Sequence, residues 1–409
     1  YILRSDLLMF DNLRNNSKII VYIVVAAFVV TGGLMGFGSY MSRNNPSGSN
    51  RSSQYIATVN DKGITPQQFL SVLRNSASQA NNLSQGEVIP FRLNVLKSMI
   101  EREILLSEAE KQDINVEISD GEVEERIDEI LNQNDLTQEE LEDNLESQDY
   151  TYEQFKTDIR NSLRNSERIT KVKETTYSNI EVTEEEIKET YEERYADSEE
   201  KPELEEVRSD IKESLLASKQ NEAYQNWLEN KKSEANVTIN DPVLYAYNAL
   251  DQGNYQVAID SFENMVNSEN SNTSASIYTY LAQAYAGAEQ YEKVLETFNT
   301  ALEDYPENWE LRLNFGEYYA NRENQEKAIE QYNKASELAG DNFYAHYKLF
   351  MAFNNIGANK EAEEEMQRIT EIQENMQSQQ QQQQTEQPED ATSIEEEIEQ
   401  TKPESENDQ

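Results

Sequence analysis

The sequence has no cysteine, a single histidine (His346), and few glycines (13) or prolines (8) among 409 residues. Without cysteine there are no disulfides, no thiolate metal sites and no lipoprotein-type cysteine anchor. One histidine leaves little scope for imidazole catalysis or metal ligation. Many-stranded folds need turn punctuation, so the shortage of glycine and proline favours helices. Positive charge is scarce too: 35 Lys and Arg stand against 79 Asp and Glu, a formal net charge of −44. Such an excess repels nucleic acid and anionic headgroups, which removes nucleic acid from the expected partners. The acidity runs along the whole chain, as simple solubility or a salt-adapted setting would produce. No P-loop, Rossmann glycine pattern or nucleophile elbow appears, and the Glu pairs lack calcium-loop spacing. No catalytic, cofactor-binding or metal-binding residue is therefore assigned, and no cofactor is expected.

One stretch is free of charge. Between Lys18 and Arg43 lies Ile19–Tyr40, IIVYIVVAAFVVTGGLMGFGSY, long enough to cross roughly 30 Å of hydrocarbon as a helix. Its exit, Gly38-Ser39-Tyr40-Met41-Ser42, is a poor cleavage site, so an uncleaved signal anchor is expected. Arg4, Arg14 and Lys18 precede it, which places the N-terminus in the cytoplasm and the bulk outside. A start at Met9 would keep Arg14 and Lys18 and leave that orientation unchanged. The expected location is the cytoplasmic membrane, crossed once. Residues 41–54, MSRNNPSGSNRSSQ, read as a flexible linker.

The middle region opens with a short β segment, Tyr55–Ile64, broken by a turn at Asp61-Lys62-Gly63. Helices follow, each announced by a Ser or Thr with Glu or Gln three residues on: Thr65/Gln68, Ser119/Glu122, Thr137/Glu140, Thr151/Gln154 and Thr183/Glu186. Leu93, Leu96, Ile100 and Ile104 draw one apolar stripe, and Leu204, Val207, Ile211 and Leu215 another, continuing to Ala223 and Trp227. Neither stripe is satisfied alone, so these helices must pack together. Phe69, Phe91, Met99, Phe155 and Trp227 are read as core.

Three segments carry a resemblance: IATVNDKGITPQQF (56–69), LNVLKSMIEREILLSEAEKQDINVEISDGEVEERI (93–127) and DLTQEELEDNLESQDYTYEQFKTDIR (135–160). They resemble the N-terminal chaperone domain of SurA/PpiD/PrsA-type exported peptidyl-prolyl isomerases, and residues 207–239 look like that family's return helix. The resemblance covers roughly 55–240, and the anchor resembles the PpiD branch. It implies a cradle that shelters unfolded exported polypeptides. The family carries a parvulin isomerase domain before the return helix, but here only Ala196–Glu206 lies between, too short for a folded domain. Isomerase activity is therefore not expected, and the chain is read as a non-enzyme.

Internal repeats occupy 241–372. Ala258, Val294, Ala328 and Ala362 stand 36, 34 and 34 residues apart, with Tyr278, Leu281, Ala282, Tyr285, Phe298 and Ala301 in register in the second repeat. Phe315, Gly316, Tyr332 and Ala335 do the same in the third, and His346, Leu349, Phe353 and Gly357 in the fourth. This is the tetratricopeptide (TPR) pattern, four repeats of paired helices. The first helix of each repeat lines a concave face. Its expected partner-binding residues are Thr279, Gln283, Leu313, Glu317, Tyr344, Tyr347, Met351 and Asn354. Lys and Arg are missing from these positions, which disfavours capture of a C-terminal carboxylate. His346 sits at a packing position and is read as structural.

The expected organisation is thus a cytoplasmic N-terminus (1–18), a transmembrane anchor (19–40), a linker (41–54), a chaperone-type domain (55–240), a TPR array (241–372) and a disordered acidic, Gln-rich tail (373–409). The expected fold class is all-α. The expected function is a membrane-anchored holdase or assembly factor for unfolded or exported polypeptides, with a protein partner in the TPR groove. By analogy with PpiD-bearing bacteria, that partner points to the Sec translocon. The competing expectation is a TPR scaffold for envelope or secretion-complex assembly without chaperone activity.

Overall fold

The computed structural model describes residues 54–76, 83–147, 149–198, 201–268 and 274–385. The expected membrane span and nearly all of the linker lie outside these residues. Among the described residues no helix is long and apolar enough to cross a membrane. The chain divides into two compact units after Gln252.

The first unit opens with β1 (Ala57–Val59) and β2 (Lys62–Ile64), an antiparallel hairpin pairing Ala57 with Ile64. Its turn is Asn60-Asp61, one step earlier than expected, because Asn60 takes the left-handed conformation (φ 53°) that Asn tolerates. Gly63 is then a strand residue, and the ring of Tyr55 lies where a side chain would stand. A third strand, β3 (Val237–Ile239), pairs antiparallel with the other edge of β1. Asn60 ties it down: its N–H donates to Asn236 O at 2.7 Å, and its side chain accepts from Asn236 N–H at 3.0 Å. The all-α expectation holds with this one addition. Helices dominate, but a three-stranded sheet joins residues about 180 positions apart, where the sequence suggested only the end of a helix.

The helices of this unit are α1 (Pro66–Asn75), α2 (Gln85–Lys111), α3 (Asp120–Asn134), α4 (Gln138–Glu146), α5 (Tyr152–Tyr177), α6 (Glu184–Arg194), α7 (Leu204–Glu234) and α8 (Pro242–Asp251). All five expected capping boxes form, at α1, α3, α4, α5 and α6. Each satisfies orphan N–H groups of the first turn. In α2, Leu93, Leu96, Ile100 and Ile104 are all buried, packing on α1, α5, α7 and the sheet. In α7 Ile211 is the one fully buried residue of the stripe, the others are half-buried, and next to the half-buried Trp227 it is Leu228 that enters the core.

Helix α5 links two small cores. Its N-terminal half joins α3 and α4 around Val123, Ile127, Leu141, Leu145, Phe155 and Ile159. Its C-terminal half contributes Val172 to a cluster with Leu105, Ala109 and Leu228. Between α2 and α7 the buried Glu108 accepts from Lys111 at 2.6 Å and faces Lys231 at 3.6 Å, so its charge is compensated.

Helices α6 and α7 pack as a hairpin. The Tyr191 hydroxyl donates to Pro202 O at 2.5 Å, and Lys201 pairs with Glu192 at 2.6 Å. Lys219 reaches from α7 to Glu186 at 2.6 Å. That hydrogen bond and the Thr183 backbone N–H hold the Glu186 carboxyl down to about 2. A carboxyl depressed on folding adds stability above its unfolded value, which is lost as pH falls towards the folded one. Lys219→Met should therefore return Glu186 towards the ordinary carboxylate range. Its carboxyl carbon shift in a pH titration reads this directly, and an unchanged midpoint would contradict the pairing.

Helix α8, read in the sequence as the first TPR helix, belongs to the first unit. It packs on α2 and β3, with Leu244 and Ala246 fully buried. Asp241 caps it by accepting from Leu244 N–H at 2.9 Å, and Lys97 on α2 pairs with Asp251 at 2.6 Å.

The second unit contains α9 (Tyr255–Val266), α10 (Ala275–Gly287), α11 (Tyr291–Asp304), α12 (Trp309–Ala320), α13 (Gln325–Ala339), α14 (Phe343–Asn355) and α15 (Asn359–Thr385). Helices α10 and α11, α12 and α13, and α14 and α15 pair as hairpins, and α9 packs on α10. Ala258, Val294, Ala328 and Ala362, the residues that set the repeat register, are all buried at these crossings. Gly316 is required: a side chain there would stand about 2.3 Å from the fully buried Tyr332 ring. The tail begins later than expected. Residues 373–385 continue α15, since Ile369 and Ile372 anchor it and glutamine extends an existing helix at little cost. The remaining tail lies outside the described residues.

Candidate functional site

The first helices of successive repeats stack, α10 on α12 and α12 on α14, which gives one face built from three helices. Aromatic rings hold the layers together: Phe298 stacks on Phe315 at 4.7 Å, and Tyr332 meets Phe353 edge-on at 5.3 Å. The ladder sits beneath the face and fixes the spacing of its side chains.

The eight expected partner-binding residues fall into two groups. Gln283, Glu317, Tyr347, Met351 and Asn354 are exposed, and Tyr344 is half-buried. Thr279 and Leu313 are buried and not available to a partner. Helix α10, ASIYTYLAQAYAG, carries no charge and is buried nearly all round by α9, α11 and α12, and Thr279 goes with it. Leu313 joins the core between α12 and α14 with Ala345 and Leu349. The accessible face is therefore concentrated on α12 and α14, with Gln283 at its margin.

Its electrostatics centre on Glu317. This side chain reaches solvent. Crowding by surrounding protein raises its carboxyl above the usual value; Lys348 opposes the shift and Glu310 adds to it. Lys348 is held over the Tyr344 ring at 5.4 Å. Sequence reasoning missed this lysine because it lies one residue past the positions assigned to the face, and a long side chain bridges that offset.

A buried polar cluster lies behind α14. His346 Nδ1 stands 2.6 Å from Glu365 Oε2 and its Nε2 2.7 Å from Gly340 O. Ser336 Oγ donates to Glu365 Oε1 at 2.5 Å, and Arg368 donates to Ser336 Oγ at 2.5 Å. His346 and Glu365 are 1% and 3% exposed, so no substrate reaches them. Among the described residues no group of three or more His, Cys, Asp or Glu is placed to hold a metal ion. In the first unit Leu70, Val88 and Tyr245 expose 42–49% of their surface.

Residues 9–168 match the SurA-like N-terminal domain family. The match ends inside α5. The SurA-like domain thus supplies the hairpin of β1 and β2 and the core around α2 to α5, while α6 to α8 and β3 lie beyond it. A solved structure described as the crystal structure of MamA is similar to part of the chain. It is 19% identical and covers 39% of this chain and 90% of that one, with a TM-score of 0.27. No curated protein matches the chain.

Proposed function

We propose that the chain is a membrane-tethered, extracytoplasmic holdase-type chaperone or assembly factor without enzymatic turnover. The SurA-like unit shelters unfolded or exported polypeptides, and the repeat face recruits a protein partner, with the Sec translocon as the place of action. The observation that carries this is the SurA-like match on a helical unit with exposed apolar side chains at Leu70, Val88 and Tyr245. Apolar burial is non-directional, so such a surface holds unfolded chains without sequence preference. The short hairpin loop between α6 and α7, where the resembling family carries its isomerase, supports a binding role over a catalytic one. Residues 19–40 supply the tether, with the soluble units outside the cell membrane.

The full chain in detergent should suppress light scattering by a denatured model protein at near-equimolar ratio and leave proline-limited refolding unaccelerated. Absence of suppression would leave a TPR scaffold as the function. Acceleration of refolding abolished by a point substitution would overturn the non-enzyme reading. Protease added to intact spheroplasts should digest the residues beyond 54; protection of both units would refute the orientation. Site-specific crosslinking from Tyr347 and Met351 in cells should capture translocon subunits.

A further inference from the structure

The repeat face presents a carboxylate, Glu317, that the surrounding protein crowds. Lys348, on the neighbouring helix, acts on Glu317, and its ammonium lies over the Tyr344 ring. Glu310, two turns earlier on α12, adds like charge. A partly desolvated carboxylate whose neighbouring ammonium is shared with an aromatic ring favours a ligand that brings a further positive charge to it. On α14, which packs on α12, Tyr347 and Met351 stand one turn apart and are 46% and 43% exposed, a neighbouring apolar pair on one helix face. Tyrosine gives a rigid contact surface and methionine an adaptable one.

We propose that the face between α12 and α14 binds a cationic, apolar-bearing segment of a partner polypeptide, with a lysine or arginine on Glu317 and an aliphatic or aromatic side chain on Tyr347 and Met351. This rests on the repeat face being a partner-binding surface, and it narrows the partner by chemistry. Acidic segments and free C-terminal carboxylates are rejected, since each would place a second negative charge against Glu317 and Glu310.

The test uses the full chain and two fluorescent peptides of equal length, one alternating leucine with lysine and the other leucine with glutamate. Anisotropy should show the lysine peptide binding at least about tenfold more tightly. Glu317→Gln should weaken it by about three- to tenfold, whereas Glu326→Gln, an exposed carboxylate on α13, should leave it unchanged. Tyr347→Ala with Met351→Ala should weaken binding of the lysine peptide further.

The Glu326→Gln control is needed because a chain of net charge −44 attracts any cationic peptide at long range. Equal effects of the two glutamine substitutions would assign the preference to overall charge and overturn the proposal. Equal affinity for both peptides, or no binding, would overturn it as well. Suppression of aggregation by the same preparations separates the two readings. If suppression persists while peptide selectivity is absent, this proposal fails and the holdase reading stands. If suppression is absent while the lysine peptide binds through Glu317, the holdase reading fails and this one stands.

Discussion

Replacing Glu365 with alanine is expected to remove about 3–5 kcal/mol from the stability of the repeat unit, the range for breaking one side of a buried charged pair. The His346 Nε2 faces only a carbonyl, Gly340 O, so it carries a hydrogen. The Nδ1 faces a carboxylate oxygen, so a second hydrogen lies between His346 and Glu365. Removing the carboxylate leaves that hydrogen and the Ser336 hydroxyl short of an acceptor in a closed site. An unsatisfied buried donor costs about 1–3 kcal/mol each, which sets the same scale.

Replacing both partners with apolar residues, His346→Leu with Glu365→Met, should recover part of the loss, because the imidazole no longer faces an emptied site while the Ser336 hydroxyl still does. The measurement is denaturant unfolding followed by Trp309 fluorescence in a Trp227→Phe background, which confines the signal to the second unit. A loss under about 1 kcal/mol for Glu365→Ala would mean that water reaches the cluster.

The second large effect concerns where α8 belongs. Leu244→Ala should cost about 2–5 kcal/mol, the range for emptying a fully buried leucine site. The loss should appear in the transition reported by Trp227, on α7 of the first unit. Trp309, on α12 of the second unit, should report an unchanged midpoint when Trp227 is replaced by Phe. The repeat pattern taken by itself gives the opposite expectation, since Ala246, Gly253, Tyr255 and Ala258 fit a first TPR repeat. A shift in the Trp309 transition alone would restore that assignment. Any soluble fragment of the first unit should accordingly extend to Gln252. One ending at 240 would strip Leu244 and Ala246 from α2 and lose the Lys97–Asp251 pair.

Most helices were legible because their signals are local. The five capping boxes specify first turns through contacts three residues apart, and all five form as read. The repeat register was legible for a related reason. Small residues recurring at nearly constant spacing mark helix crossings, and Ala258, Val294, Ala328 and Ala362 all became buried crossings. The site was only half legible. Position within a repeat marks which side of a helix a residue occupies, but not what lies against that side. Thr279 and Leu313 fit the concave positions as well as Tyr347 does, yet neighbouring helices bury both. Glu365 looked like one more glutamate on a polar helix, and only its approach to His346, Ser336 and Arg368 distinguishes it.

Composition, periodicity and capping by themselves determined a helical chain and a repeat array, with an uncharged segment long enough for an anchor. Each of these depends on contacts between residues a few positions apart, or on a spacing repeated along the chain. Tertiary structure alone decided the third strand, the home of α8, the lysine beside Glu317 and the buried cluster at His346. Each of these joins residues on different elements. Val237–Ile239 finds its partner in β1 only after about 180 intervening residues have folded back, and no local pattern records that meeting.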